Sequence, residues 1–289
     1  VVLDADLSSS TRTNEFAKKF PERFFNCGIA EQNMMGTAAG LATSGKVVFA
    51  STFAVFATGR CWDQISQSIA YPNLNVKIVA THAGITVGGD GASHQALEDI
   101  GLMRSLPNMT VIVPADGIEA YKAVKACVDH PGPCYVRLGR ADVPMLTTMD
   151  SEFAIGKATV LREGSDVTLV GCGQMVAVCM DAAEELEKRG IHAEVVNMST
   201  VKPLDEVTLL RSAKKTGAVV TAEEHTTVSG LGSAVAVVLG EYCPVPLKLI
   251  GTPDCFGESG ESEELMRRYG LTSERVALAA EEVMRRKKQ

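Results

Sequence analysis

Residues 46–80 open on Lys46-Val47-Val48-Phe49-Ala50 and close on Val76-Lys77-Ile78-Val79-Ala80. Each end is a short apolar run of strand length, rich in β-branched residues. Between them, residues 58–70 are long enough for an amphipathic helix. Strand, helix and strand in this order predict two parallel neighbours joined by a right-handed crossover. The same alternation extends outward. Residues 110–113 and 134–138 predict further buried strands, and residues 31–43, 95–105 and 117–128 predict the helices between them. Val1-Val2-Leu3 and residues 23–26 are also strand-like. Such a series implies a mainly parallel sheet covered on both faces, with ligands at the carboxyl ends of its strands.

Around residues 141–152 the pattern lapses into Pro, Thr, Asp and Ser. A second series follows, with strands predicted at 167–170, 192–196, 218–222 and 247–250. Helices are predicted at 175–189, 204–212 and 230–239, and again from residue 261. The chain is therefore expected to be α/β with two domains, 1–145 and 156–289, and a linker at 146–155. Each sheet should be mainly parallel, the second partly mixed, with helices on both faces.

The 289 residues suit two such domains. Hydrophobic residues make up 46% and charged ones 22%, which favours a sizeable core over disorder. There are 28 basic and 35 acidic residues, a net charge of −7, and no basic run before Arg285-Arg286-Lys287-Lys288. That tail ends a predicted helix, where cations suit the dipole, so no nucleic-acid partner is expected. No apolar run is long enough to span a bilayer and no signal peptide is evident, so no membrane role is expected. No two of the eight cysteines are two residues apart, which leaves redox CxxC and zinc-ribbon readings unsupported. Scattered among apolar neighbours, they predict buried thiols of a reducing cytoplasm.

Four clusters carry the chemistry. Gly28-Ile29-Ala30-Glu31-Gln32-Asn33 places a carboxylate at the start of a helix beside a strand. Such a glutamate is ordinarily a cap or dipole partner, so position alone leaves its role open. In Ser51-Thr52-Phe53-Ala54-Val55-Phe56, the two phenylalanines offer either core packing or an aromatic floor for a flat heterocycle. Thr81-His82-Ala83-Gly84 and Gly88-Gly89-Asp90-Gly91-Ala92-Ser93-His94 follow a strand. Four glycines there let backbone approach a ligand, and one carboxylate and two imidazoles project from the same loop. A polar substrate pocket fits that set better than a metal site, whose tight ligand spacings are missing. In Arg137-Leu138-Gly139-Arg140, an arginine at the strand end is either an ordinary surface residue or a group that grips a phosphate, and position alone leaves both open.

In this order the clusters resemble the pyrimidine-binding domain of transketolases, at Ile29-Ala30-Glu31-Gln32-Asn33, Ser51-Thr52-Phe53, Gly89-Asp90-Gly91 and Leu97-Glu98-Asp99. The second half resembles the transketolase C-terminal domain at Lys202-Pro203-Leu204-Asp205 and Glu223-Glu224-His225. The resemblance implies thiamine diphosphate as cofactor and transfer of a two-carbon ketol unit between sugar phosphates in the pentose phosphate pathway. It implies that Glu31 hydrogen-bonds N1′ of the aminopyrimidine, so that the ring's exocyclic nitrogen can take the thiazolium C2 proton. It assigns Phe53 and Phe56 to pyrimidine stacking, and Asp6 to a subunit contact near the cofactor. Asp90 would read a sugar hydroxyl, and His94 would sit near the reacting carbons. His82, Arg140 and Ser10 would hold the sugar phosphate. A further stacking aromatic of some relatives has no clear counterpart, since Gly59 falls near its place and Trp62 is out of step.

Enzymes of this class hold the diphosphate and its metal through Gly-Asp-Gly and a downstream Asn. Gly89-Asp90-Gly91 belongs to the pyrimidine-side pattern. No asparagine occurs between Asp116 and Val124, and Asn108 comes too early. The resemblance therefore implies that this chain holds no metal itself. A partner, the N-terminal transketolase subunit, would supply the diphosphate half with its Mg2+ or Ca2+, in an α2β2 assembly with a second copy of this chain. Deoxyxylulose-phosphate synthases share much of the pattern but would carry Arg at the His82 position. The beta subunits of 2-oxoacid dehydrogenases differ in the glutamate motif. A non-catalytic scaffold subunit would not need Glu31, His82, Asp90 and His94 together.

Overall fold

The computed structural model describes residues 1–287. The last two residues, and with them Lys288 of the basic tail, lie outside the described residues. The first half contains β1 (Val2–Asp4), α1 (Ser8–Thr11), α2 (Thr13–Lys19), β2 (Phe24–Asn26), α3 (Glu31–Thr43), β3 (Val48–Ser51), α4 (Ala54–Thr58), α5 (Trp62–Gln64), β4 (Val76–Ala80), α6 (Asp99–Arg104), β5 (Thr110–Ile112), α7 (Gly117–Asp129) and β6 (Cys134–Arg137). The second contains β7 (Thr159–Arg162), β8 (Val167–Gly171), α8 (Met175–Glu187), β9 (Ala193–Asn197), β10 (Thr200–Lys202), α9 (Glu206–Thr216), β11 (Val219–Thr226), α10 (Leu231–Tyr242), β12 (Leu247–Thr252), α11 (Ser262–Arg268) and α12 (Ser273–Lys287).

Two sheets result, in the orders β10-β5-β6-β4-β3-β1-β2 and β12-β11-β8-β9-β7. Every pairing is parallel except β10 with β5 and β7 with β9, so each sheet has one antiparallel edge. Asp4 lies opposite both Asn26 and Ser51, and Ala80 lies opposite Arg137. This register brings the loops after β1, β2, β3, β4 and β6 to one edge, where parallel α/β sheets expose their binding groups.

Local chemistry accounts for the element ends. Asp116 caps α7, accepting Glu119 N–H at 2.8 Å, and Asp205 caps α9, accepting Thr208 N–H at 3.1 Å. Gly217, at φ 69°, stops α9 in the left-handed conformation. On α12, Val276, Ala277, Ala280 and Val283 are buried on one face.

Four differences from the sequence pattern are informative. The helix expected over residues 58–70 breaks at Gly59–Cys61 and resumes as a wider turn, Tyr71 N–H reaching Ser66 O at 2.9 Å. The helix expected over 95–105 starts only at Asp99, because the backbone at Ala96 pairs with the loop after β4, accepting Gly84 N–H at 3.0 Å. The strand expected over 218–222 runs on to Thr226 and buries Glu223, Glu224 and His225. Finally, β10 leaves the second half of the chain to complete the first sheet. The connection between the halves is tied down. Asp116 accepts Leu146 N–H and Thr147 N–H, and Lys122 donates to Thr148 O.

Five cysteines are buried, but Cys27 and Cys243 are half-buried and Cys255 is exposed, so the expectation of uniformly buried thiols fails for three. No helix among the described residues is long and apolar enough to cross a membrane.

Candidate active site

Glu31 is the first residue of α3, and its side chain is only 6% exposed. Its two oxygens lie 3.4 and 3.5 Å from Arg60 Nη1. Arg60 in turn lies over the Phe56 ring, with its guanidinium carbon 4.4 Å from the centroid. Nothing in the sequence pattern marks Arg60, which enters only because the broken α4–α5 segment folds back beside α3. Cys61, also buried here, has its thiol pushed up to about 12 by burial and then by the Glu31 charge, so it stays neutral.

Phe53 and Phe56 stand 5.9 Å apart with rings nearly parallel. Phe53 is buried, and its ring stacks on the His82 imidazole at 3.8 Å. The His94 ring meets both phenylalanines edge-on, 6.4 Å from Phe53 and 5.3 Å from Phe56. Glu31, Phe53, Phe56, His82 and His94 thus form one continuous group. His82 adopts a left-handed backbone, φ 58°, and its Nδ1 lies 2.9 Å from Thr81 Oγ1. Burial holds the His82 pKa below its ordinary value. The Arg140 charge adds to this, Asp90 opposes it and His94 adds a little. Arg140, Asp90 and His94 are thus near enough to act on the charge of this imidazole. Asp90 and Arg140 are exposed, and Arg140 Nη1 donates to Val87 O at 2.9 Å.

The two arginines at the end of β6 separate in role. Arg137 is buried, donating to Asp99 at 2.8 Å and to the carbonyls of Ala96 and Glu224. It supports the core, and only Arg140 reaches the site. Asp6 and Ser10 sit at the same strand edge, toward the β1–β2 side. Asp6 accepts Asn26 Nδ2 at 3.0 Å, and Ser10 is exposed on α1.

The glycine loop is held from below by the second half of the chain. Glu224 accepts Thr86 N–H at 2.7 Å and Thr86 Oγ1 at 2.8 Å, and Ser262 Oγ donates to Thr86 O. Sequence reasoning singled out Glu224 without seeing this role, because the contact spans 138 residues.

Among the described residues, no group of three or more His, Cys, Asp and Glu side chains is placed to hold a metal ion. A cavity of about 660 Å³ lies elsewhere, between α7, the connecting segment and β7, and contains none of these site residues.

A flat aromatic wall, a buried carboxylate and an exposed ring of cationic and polar groups stand at the carboxyl edge of a parallel sheet. They stand in an α/β protein of two mainly parallel sheets. Residues 1–145 match the family described as transketolase, pyrimidine binding domain, and residues 156–276 match transketolase, C-terminal domain. The chain belongs to the transketolase family, a thiamine-diphosphate-dependent family, and is a C-terminal subunit of the split-gene type. It is 50% identical to a putative transketolase C-terminal section of Methanocaldococcus jannaschii, over 99% of this chain and 90% of the relative. It is 48% identical to a 6-deoxy-6-sulfo-D-fructose transketolase subunit of a Clostridium species, over 99% of this chain and 89% of the relative. A solved split gene transketolase, described as an inactive beta4 tetramer, superimposes with a TM-score of 0.93 at 55% identity, covering 99% of this chain and 92% of that one.

Proposed function

We propose that this chain is the catalytic C-terminal subunit of a transketolase that moves a two-carbon ketol unit from a ketose phosphate to an aldose phosphate. The observation that carries the reading is the buried Glu31 carboxylate at the carboxyl edge of the sheet, with Arg60 bridging it to the Phe56 ring. The fit to thiamine diphosphate is chemical. A carboxylate suits a ring nitrogen that must share a proton, and a phenylalanine face suits a flat pyrimidine. When bound, the cofactor supplies the electron sink for breaking the ketose C2–C3 bond.

The chain's own groups then divide the remaining work. Glu31 holds and shares a proton at pyrimidine N1′. Phe56 walls the ring and Phe53 backs it. His94 stands near the reacting carbons, and Asp90 accepts from a sugar hydroxyl. His82 and Arg140, with Ser10 from the β1 side, hold the phosphate. Asp6 faces the cofactor from a subunit contact. Diphosphate and its Mg2+ or Ca2+ belong to an N-terminal partner subunit, in an α2β2 assembly. The solved relative described as an inactive beta4 tetramer supports a requirement for that partner. A relative described as a 6-deoxy-6-sulfo-D-fructose transketolase subunit supports the reading of a donor with an anionic terminus.

The test is reconstitution. Ketol transfer should appear only when this chain is mixed with the partner, cofactor and magnesium. In the mixture, Glu31→Gln should bind cofactor but slow C2 hydrogen–deuterium exchange by roughly 10²–10⁴-fold. Full activity from this chain alone, or unchanged exchange in Glu31→Gln, overturns the reading.

A further inference from the structure

Arg60 is held by the two groups that the proposed function reserves for the pyrimidine. Its Nη1 faces both Glu31 oxygens, and its guanidinium lies over Phe56. We infer that Arg60 is a built-in competitor of the cofactor's aminopyrimidine, which must swing out before the pyrimidine can take Glu31 and Phe56. This rests on the function proposed above.

The chemistry of the two occupants is alike. A guanidinium is a planar N–C–N group that donates to carboxylates and stacks on aromatic faces. An aminopyrimidine is also planar, carries the same N–C–N edges and asks for the same two partners. One face of Phe56 accepts only one of them. With Arg60 in place, a buried carboxylate that would otherwise face apolar surroundings has a cationic partner.

The contact is also built to be released. The side chain of Arg60 is 50% exposed, so it can reach solvent. Its two bonds, at 3.4 and 3.5 Å, are at the long limit for hydrogen bonds. Ion pairs of this exposure are weak. The backbone, by contrast, is fixed: Gln32 Nε2, from the same helix as Glu31, donates to Arg60 O at 2.8 Å. Only the side chain needs to move.

The experiment uses the assembled complex of the full chain with its partner, titrated calorimetrically with thiamine diphosphate in excess magnesium. Arg60→Met keeps an apolar stem over Phe56 without the charge, and Arg60→Gln keeps a planar amide. Circular dichroism confirms that each variant is folded. Removing a competitor held by one exposed ion pair and one cation–π contact should tighten cofactor binding by roughly 5- to 30-fold. A wild-type complex that binds cofactor while both folded variants bind it equally or more weakly overturns this inference alone. A wild-type complex that binds none overturns it together with the proposed function.

Discussion

The Glu224 carboxylate occupies the space that a side chain at Gly84 would need. A Cβ built on Gly84 would lie 2.2 Å from Glu224 Cδ, and Gly84 itself stands at φ 88°. The contact joins the loop after β4 to a strand of the second sheet. It makes that strand the floor of the site loop, so stability of the loop and of the domain contact are one property.

Gly84→Ala should therefore destabilise the chain by about 2–4 kcal/mol, from a backbone conformation that favours glycine and from overpacking against a hydrogen-bonded carboxylate. Urea unfolding checks this. Gly89→Ala serves as the control, since a Cβ there meets nothing within 4 Å. Equal effects at both positions would contradict the account.

Arg137 and Asp99 form a buried pair at 2.8 Å, with Tyr135 Oη also donating to Asp99 at 2.6 Å. Arg137→Met strands the Asp99 carboxylate in the core and should cost about 3–5 kcal/mol, because an uncompensated buried charge is left behind. Arg137→Met combined with Asp99→Leu should recover much of that loss. Additive losses in the double variant would show that the pair does not act as a unit.

His225 is buried, with Nε2 accepting Gly101 N–H at 3.3 Å and Nδ1 placed 2.8 Å from Thr226 O. Burial lowers its pKa to about 4, with Asp99 opposing and Arg137 assisting. The unfolded chain takes this proton first as pH falls. The stability from a neutral His225 is thus fully present above its ordinary pKa and is lost as pH drops toward 4, a swing on the order of 3 kcal/mol. Glu223 has the opposite sign. Burial pushes it up to about 7, so its contribution is present in acid and is lost as pH rises toward 7. Comparing wild type with His225→Asn isolates the histidine. The wild type's advantage in unfolding midpoint should shrink steadily from pH 7 to 4.5. A constant advantage would exclude the buried neutral imidazole.

Arg140 lies just past the end of β6 and acts on the His82 imidazole, and the proposed function assigns it to the phosphate. Arg140→Ala should raise KM for phosphorylated donors roughly tenfold or more with kcat nearly unchanged, the signature of a lost binding contact. Donors without phosphate should be unaffected. An equal loss for both kinds of donor would make Arg140 a structural residue.

Alternating apolar runs were sufficient to predict two mainly parallel α/β sheets, because strand burial on both faces leaves a continuous hydrophobic signature. That Glu31, Phe53, His82, Asp90, His94 and Arg140 would come to one sheet edge was legible too, since parallel topology collects strand-end loops there whatever the details. Other features depended on contacts distant in sequence. The partner of Glu31 is an arginine exposed by a break in a helix that periodicity reads as continuous. Arg137 and Arg140, three residues apart, took opposite fates because Arg137 ends β6 against Asp99 while Arg140 lies in the exposed loop beyond the strand. The edge strand Thr200–Lys202 was invisible because three residues carry no period. Glu224 fell beyond the strand expected over 218–222, and only the approach of the glycine loop gave its carboxylate a partner and its burial a reason. Sequence fixes which groups line the edge; the packing of one sheet against the other decides which of them face a ligand and which hold the loops in place.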